Sequence, residues 1–166
     1  MTRLFSLGAL AVISALVLAA CGGSSYGGNS SPTTSTKASA PATTSSTASV
    51  VSAKSSSLGT FLVDAKGQTL YLWDADHGAM STCNGECATD WPPLTTKSAP
   101  KAGAGVKASL LGTTKRADGT QEVTYAGHPL YTFAGDTGPG QTTGQGSGAF
   151  GAPWWVVTPA GKAIQN

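Results

Sequence analysis

The sequence has few of the side chains on which most enzymes depend. Only two histidines occur among its 166 residues, and charged residues make up 11% of the chain. Neither a Gly-x-Ser-x-Gly nucleophile elbow nor a His-Glu-x-x-His zinc motif is present. No glycine-rich loop stands between a strand pattern and a helix pattern, where it would cradle a phosphate. We therefore expect a protein that is not an enzyme.

The charges of the chain are few and balanced. The whole sequence has ten basic and eight acidic residues. Three of the basic residues, Arg3, Lys37 and Lys54, precede residue 58, so the rest of the chain has seven basic against eight acidic residues. A nucleic-acid-binding domain would carry a strongly basic face. We expect no nucleic-acid partner.

Residues 1–20 are predicted to be a signal peptide, because Arg3 precedes a single apolar run from Leu7 to Ala20. The run is short for a membrane span, which needs about 20 strongly apolar residues. It ends in Leu-Ala-Ala-Cys, which resembles the lipobox of bacterial lipoproteins. By that resemblance Cys21 is acylated, with chains such as palmitate, and two or more chains anchor a protein stably on a bilayer. We expect a lipid-anchored protein on the extracytoplasmic side of the cell membrane; the alternative is a secreted protein cleaved near Ala20.

Residues 21–57 are predicted to be a disordered tether. Of the 36 residues in 22–57, all but six are Gly, Ser, Thr, Ala or Pro. Such a composition cannot bury a hydrophobic core. A flexible coil of this length spans about 33 Å root-mean-square, which lifts a domain off the bilayer.

Residues 58–166 predict one all-β domain, a small sandwich or a partly open barrel. Short apolar or alternating runs are separated by turn residues, and helical periodicity is hard to find. Residues 60–73 predict two strands around an Asp-Ala-Lys-Gly turn, and residues 155–164 repeat that device. Residues 109–133 predict three more strands. About seven short strands suit a small domain of this class.

A ten-residue pattern, Gly-x-x-Leu-Tyr-x-aromatic-x-x-Asp, occurs twice, within predicted halves of about 58–94 and 107–166. Alternation puts the Tyr and the aromatic residue on one face of a strand and the Leu on the other. The Asp falls in the following turn, where its carboxylate can accept backbone N–H groups. Two interpretations remain open, a structural repeat and a ligand site built from both clusters. The residues are Gly67, Leu70, Tyr71, Trp73 and Asp76, then Gly127, Leu130, Tyr131, Phe133 and Asp136.

Both copies contain Tyr-x4-Asp with an aromatic residue two positions after the Tyr. The segment STCNGECATDWPPL (81–94) also looks like a Cys-x-Gly-x-Cys-Ala-x-x-Trp-Pro-Pro segment. In both features the chain resembles the bacterial family called the secreted repeat of unknown function. The resemblance implies an exported lipoprotein with a repeated domain, and it implies no established activity.

The cysteines allow two interpretations. With Cys21 lipidated, Cys83 and Cys87 remain as a pair in an exported domain, which favours a disulfide. The alternative is copper binding or thiol–disulfide exchange, because His77 and Met80 lie just upstream and soft ligands of this set suit copper.

The function that we expect from the sequence is a non-enzymatic binding or structural role at the cell surface or in the periplasm. The expected partners are the lipid bilayer and an envelope protein or glycan, and we expect a monomer without a cofactor. Residues 135–151 contain seven glycines, a composition that favours a disordered loop.

Overall fold

The structure, a computed structural model, describes residues 48–165. No helix in this part of the chain is long and apolar enough to cross a membrane. Single 3-10 turns lie at Ala108–Leu110 and Ala149–Gly151. The other elements are β1 (Val50–Ser56), β2 (Gly59–Asp64), β3 (Tyr71–Trp73), α1 (Glu86–Asp90), β4 (Thr95–Thr96), β5 (Lys101–Ala102), β6 (Leu111–Lys115), β7 (Gln121–Tyr125), β8 (His128–Pro129) and β9 (Trp154–Val156).

The strands form three small sheets, which confirms the all-β prediction. One sheet has the order β2-β1-β5, and a second has the order β4-β7-β6 with β8 added on β7. The third is the antiparallel pair β3-β9. None of these sheets closes into a barrel within residues 48–165. The fold is therefore a layered all-β arrangement.

The β-domain begins earlier than its composition predicts. Strand β1 starts at Val50, inside the segment assigned to the tether, and pairs with β2 from Val51↔Asp64 to Ser56↔Gly59. Val51 is fully buried. Backbone hydrogen bonds hold this Ser-rich strand, so side-chain composition does not reveal it. The predicted boundary at residue 58 is thus too late, and residues 1–47, with the signal peptide and Cys21, lie outside the described residues.

The predicted turn at 64–67 is present, but its flanking strands separate. The Gly67 N–H donates to the Asp64 carbonyl (3.0 Å), and the Asp64 carboxylate accepts the Gln68 N–H (2.9 Å). Beyond the turn, the two strands share only the bridge Val63↔Thr69 within the described chain. Strand β3 then pairs with β9, which lies about 85 residues later. The local turn was predictable, and the long-range pairing was not.

Strand β3 lies between two hydrophobic clusters, which explains why all three of its residues are buried. Alternation along the chain places Tyr71 and Trp73 in one cluster and Leu70, just before the strand, in the other, as predicted. The aromatic cluster contains Phe61, Val63, Tyr71, Trp73, Cys83, Cys87, Trp91, Tyr131, Trp154 and Val156. The aliphatic cluster contains Val51, Leu62, Leu70, Leu72, Val123, Tyr125, Leu130 and Val157.

The glycine-rich segment 135–151 is ordered, so the expectation of disorder is wrong. The Gly146 N–H donates to the Trp154 carbonyl (2.9 Å), and the Trp154 N–H donates to the Ser147 carbonyl (2.8 Å). A Cβ atom on Gly144 would lie 2.6 Å from the Trp91 ring. Glycine at this position allows the loop backbone to pack directly on an aromatic ring.

Candidate functional site

The two Tyr-x4-Asp motifs meet at their tyrosines. The Tyr71 N–H donates to the Tyr131 carbonyl (2.8 Å), and the Tyr131 N–H donates to the Tyr71 carbonyl (3.0 Å). The two hydrogen bonds are reciprocal, which is the relation that a twofold axis produces. The two repeats are paired across a local pseudo-twofold axis at this bridge.

Each tyrosine donates its hydroxyl to the aspartate of the other motif. Tyr71 Oη lies 2.7 Å from Asp136 Oδ2, and Tyr131 Oη lies 2.7 Å from Asp76 Oδ2. All four side chains are buried. Hydrogen bonds to an ionised carboxylate are stronger than neutral ones. These two swapped pairs, here called the latches, join the repeats to each other.

The second oxygen of each aspartate is also occupied. Asp76 Oδ1 accepts the backbone N–H (2.8 Å) and the hydroxyl (2.7 Å) of Thr82. Asp136 Oδ1 accepts the same two groups of Thr143, at 2.9 Å and 2.6 Å. Each aspartate therefore accepts a backbone N–H, as its turn position predicts. The latch is a contact that local sequence reasoning did not anticipate.

Four aromatic rings stack in the order Trp73, Trp154, Trp91, Phe133. The centroid separations are 5.0 Å, 4.0 Å and 4.3 Å, and both Trp–Trp contacts are within 6° of parallel. The order is itself symmetric, because each end ring comes from a motif and each inner ring comes from the segment that follows it. The inner rings are also met edge-on by the latch tyrosines, Tyr71 on Trp91 (5.3 Å) and Tyr131 on Trp154 (5.2 Å).

The surroundings keep both latch phenols protonated. Burial raises the pKa of Tyr71, and the hydrogen bond to Asp136 raises it further. Burial also raises the pKa of Tyr131, followed by the charge of Glu122. In each case a nearby carboxylate disfavours the phenolate. Both latch tyrosines are therefore neutral hydrogen-bond donors.

A buried ion pair extends the Tyr131–Asp76 latch. Arg116 Nη1 lies 2.7 Å from Glu122 Oε2, and both side chains are almost fully buried. The same guanidinium donates to the Ser81 hydroxyl and to the Cys83 carbonyl. The Ser81 hydroxyl lies 2.8 Å from Tyr131 Oη. Arg116 thereby connects the β6–β7 hairpin of the second repeat to residues 81–83 of the first.

Arg116 and Glu122 each have one buried atom without a hydrogen-bond partner, and for Arg116 this atom is Nε. For Glu122 it is Oε1, and burial raises the pKa of Glu122 to about 7 despite the opposing effect of Arg116. Neither Arg116 nor Glu122 was predicted as a site residue. Their positions in a polar hairpin, TTKRADGTQEVTY, look like solvent-exposed strand positions, and no local signal distinguishes them.

The structure places Cys83 and Cys87 at disulfide distance, with an S–S separation of 1.97 Å. Both cysteines are buried in the aromatic cluster. The other two residues of the copper hypothesis lie in an exposed turn closed by the bridge His77↔Met80, and Met80 is 65% exposed. No group of three or more His, Cys, Asp and Glu side chains within residues 48–165 could hold a metal ion. His77, Cys83 and Cys87 therefore do not form such a group in this part of the chain.

Fold and site together define a pseudosymmetric β-domain in which two repeats are latched to each other by swapped Tyr–Asp pairs. Comparison with known proteins assigns the chain to a family. The family described as "secreted repeat of unknown function" matches residues 52–95 and 112–158, more than half of the chain. The chain belongs to this family, which indicates an exported protein. No curated protein and no solved structure matches the chain.

Proposed function

We propose that this protein is an exported, lipid-anchored accessory lipoprotein whose β-domain binds or supports a partner in the cell envelope without catalysing a reaction. Acylated Cys21 is its membrane anchor, and the part of the predicted 21–57 segment that precedes the β-domain is its tether. The partner is an envelope protein or a glycan, and the domain works as a monomer without a cofactor.

One observation carries the assignment of a non-enzymatic role. In both latches the tyrosine hydroxyl and the two aspartate oxygens are bonded inside the domain. A catalytic or ligand-binding carboxylate must reach its substrate. The repeated residues of this protein instead satisfy one another, which supports a structural role for the motif and leaves partner contacts to the domain surface.

Replacement of the lipidated cysteine tests the anchor. We expect Cys21→Ser to move the full chain from the membrane fraction to the soluble fraction, because no acyl chain can then be attached. Ser24→Ala, three residues away in the same segment, serves as the control and is expected to stay with the membrane. A Cys21→Ser protein that still sediments with membranes would exclude the lipid anchor.

A copper-binding or thiol-redox accessory role is the second candidate. It is favoured by His77 and Met80, which lie in the turn just before the disulfide segment. In this role the disulfide must first be reduced, since thiolates are the metal ligands. The test is copper analysis of the reduced full chain beside thiol counting. Stoichiometric copper that is lost on Cys83→Ser with Cys87→Ser would place this function first.

A further inference from the structure

The three buried tyrosines of residues 48–165 differ in what they face. Tyr71 and Tyr131 donate to carboxylates at 2.7 Å. Tyr125 is equally buried, but it donates to the carbonyl of Pro159 at 2.8 Å. A carboxylate can take a proton from its donor, whereas a peptide carbonyl is too weak a base to do so. The domain therefore contains two tyrosines with a proton acceptor and one matched tyrosine without.

The two latch tyrosines are also in contact with a row of tryptophans. Trp73 is 8% exposed and stacks on Trp154 at 5.0 Å, which in turn stacks on Trp91 at 4.0 Å. Tyr131 meets Trp154 and Tyr71 meets Trp91 at ring-centroid distances near 5 Å. Aromatic rings at van der Waals contact exchange electrons readily, because the electronic coupling between them is strong at such short separations.

The chemistry of phenol oxidation gives the carboxylates a role. A phenol that loses an electron becomes a very strong acid, so it is oxidised readily only when its proton leaves at the same time. The raised pKa of both latch tyrosines keeps that proton on the oxygen until the electron goes. The second oxygen of each aspartate is held by a threonine N–H and hydroxyl. The proton then has a defined place, on the oxygen that faces the phenol.

We propose that the aromatic core of this domain is a trap for one-electron oxidants, in which Trp73, Trp154 and Trp91 pass oxidation to Tyr71 or Tyr131 and the paired aspartate takes the proton. An external radical removes one electron from a tryptophan and leaves a tryptophan radical cation. That cation then takes one electron from the tyrosine, and the tyrosine O–H proton moves to the aspartate. The products are a neutral tryptophan, a tyrosyl radical and a protonated carboxyl group, so charge and electrons balance.

Pulse radiolysis of the purified full chain tests this activity. Azide radicals oxidise tryptophan. The absorbance of the tryptophan radical and of the tyrosyl radical then follows the conversion of the first into the second. We expect a first-order conversion whose rate does not depend on protein concentration. The double variant Asp76→Asn with Asp136→Asn should slow the conversion by about a hundredfold, the order of magnitude that a positioned proton acceptor contributes.

Two matched controls separate the trap from a general property of aromatic cores. Asp118→Asn changes a carboxylate that also accepts the N–H and hydroxyl of a threonine, Thr120, and whose other contact is Arg116 rather than a tyrosine. This variant should convert at the parent rate. Tyr125→Phe should leave the tyrosyl yield unchanged, whereas Tyr71→Phe with Tyr131→Phe should remove most of it.

Near-ultraviolet circular dichroism identifies any variant that does not fold. If a variant does not fold, the proposal is tested on the parent protein by its solvent isotope effect. Coupled proton transfer must make the conversion slower in D₂O than in H₂O. A folded double Asn variant that converts at the parent rate would overturn the proposal. Equal losses of tyrosyl yield in Tyr125→Phe and in the latch variant, or a conversion without an isotope effect in the parent, would also overturn it.

Discussion

The two repeats differ most in the segment that follows each motif. In the first repeat, the chain from Asp76 to Trp91 contains the disulfide and helix α1. In the second repeat, the chain from Asp136 to Trp154 has no cysteine, is richer in glycine and contains a short 3-10 turn. Both segments nevertheless end in a tryptophan of the same stack, and the ring centroids of Trp91 and Trp154 are 4.0 Å apart. Both segments therefore begin with a latch aspartate and end with a stacked tryptophan. The residues between these two points differ between the repeats.

The electrostatic surroundings of the latches differ as well. The Tyr131–Asp76 pair continues through Ser81 into the buried Arg116–Glu122 pair, whereas Tyr71 meets the backbone of Gly144. Buried charges are costly unless they are well paired. A latch thus forms without an adjoining ion pair, so the Arg116–Glu122 pair of the second repeat is an addition to one latch rather than a requirement of the motif.

Removal of one partner of the ion pair should have the largest effect. Glu122→Leu leaves Arg116 buried without its counter-charge, which we expect to lower the free energy of unfolding by about 3–5 kcal/mol. The double change Glu122→Leu with Arg116→Leu removes both charges and should recover most of that loss. Urea denaturation measures both variants. Equal losses in the single and double variants would show that the hydrogen bonds of Arg116 matter more than its charge.

The raised pKa of Glu122 predicts a dependence of stability on pH. Its pKa is about 7 in the folded protein against 4.5 as the ordinary value, so the folded state binds more protons than the unfolded state between these values. The stability contribution is therefore fully present below about pH 4.5 and is lost as the pH rises through about 7, a change of up to about 3 kcal/mol. Denaturation midpoints across this range measure the change. Glu122→Gln should flatten this part of the profile, and an unchanged slope would assign it to another group.

Breaking the latches one at a time tests their equivalence. Asp76→Ala and Asp136→Ala each remove an acceptor of three hydrogen bonds and leave a buried tyrosine hydroxyl without its acceptor carboxylate, which should cost about 2–3 kcal/mol. Asp→Asn retains acceptor capacity and should cost less. Chemical denaturation of the four variants gives the comparison. If both Ala variants are as stable as the parent, the latches are not structural and the motifs return to being candidates for a ligand site.

The disulfide should have the smallest effect of these changes. It closes a loop of only five residues between Cys83 and Cys87, for which the chain-entropy estimate is about 2 kcal/mol. We expect Cys83→Ser with Cys87→Ser to lower the free energy of unfolding by that amount and to preserve the Trp91 stack. Near-ultraviolet circular dichroism and denaturation measure the two effects. Loss of the aromatic signal would show that the first repeat needs its disulfide to position Trp91, although the second repeat positions Trp154 without one.

Local patterns predicted those features that depend on neighbouring residues. Alternation correctly assigned Tyr71 and Trp73 to one side of a strand and Leu70 to the other, because side chains of a strand point to opposite faces in turn. The same patterns missed β1, because its serines and lysine resemble the composition of a tether. Its backbone is nevertheless paired with β2. They also misassigned the loop 135–151, because glycine favours disorder in solution but permits close packing against a ring such as Trp91.

The sequence by itself determined the all-β class, the repeated motif and the membership of a secreted family. Each of these depends on residue type and short spacing. Tertiary structure alone decided that Tyr71 binds Asp136 and Tyr131 binds Asp76, and that Arg116 and Glu122 are buried together. The latch partners lie 65 and 55 residues apart, and whether an aspartate meets the tyrosine of its own repeat or of the other depends on how the two repeats dock. Docking is a property of the whole packed core, so no local pattern contains it.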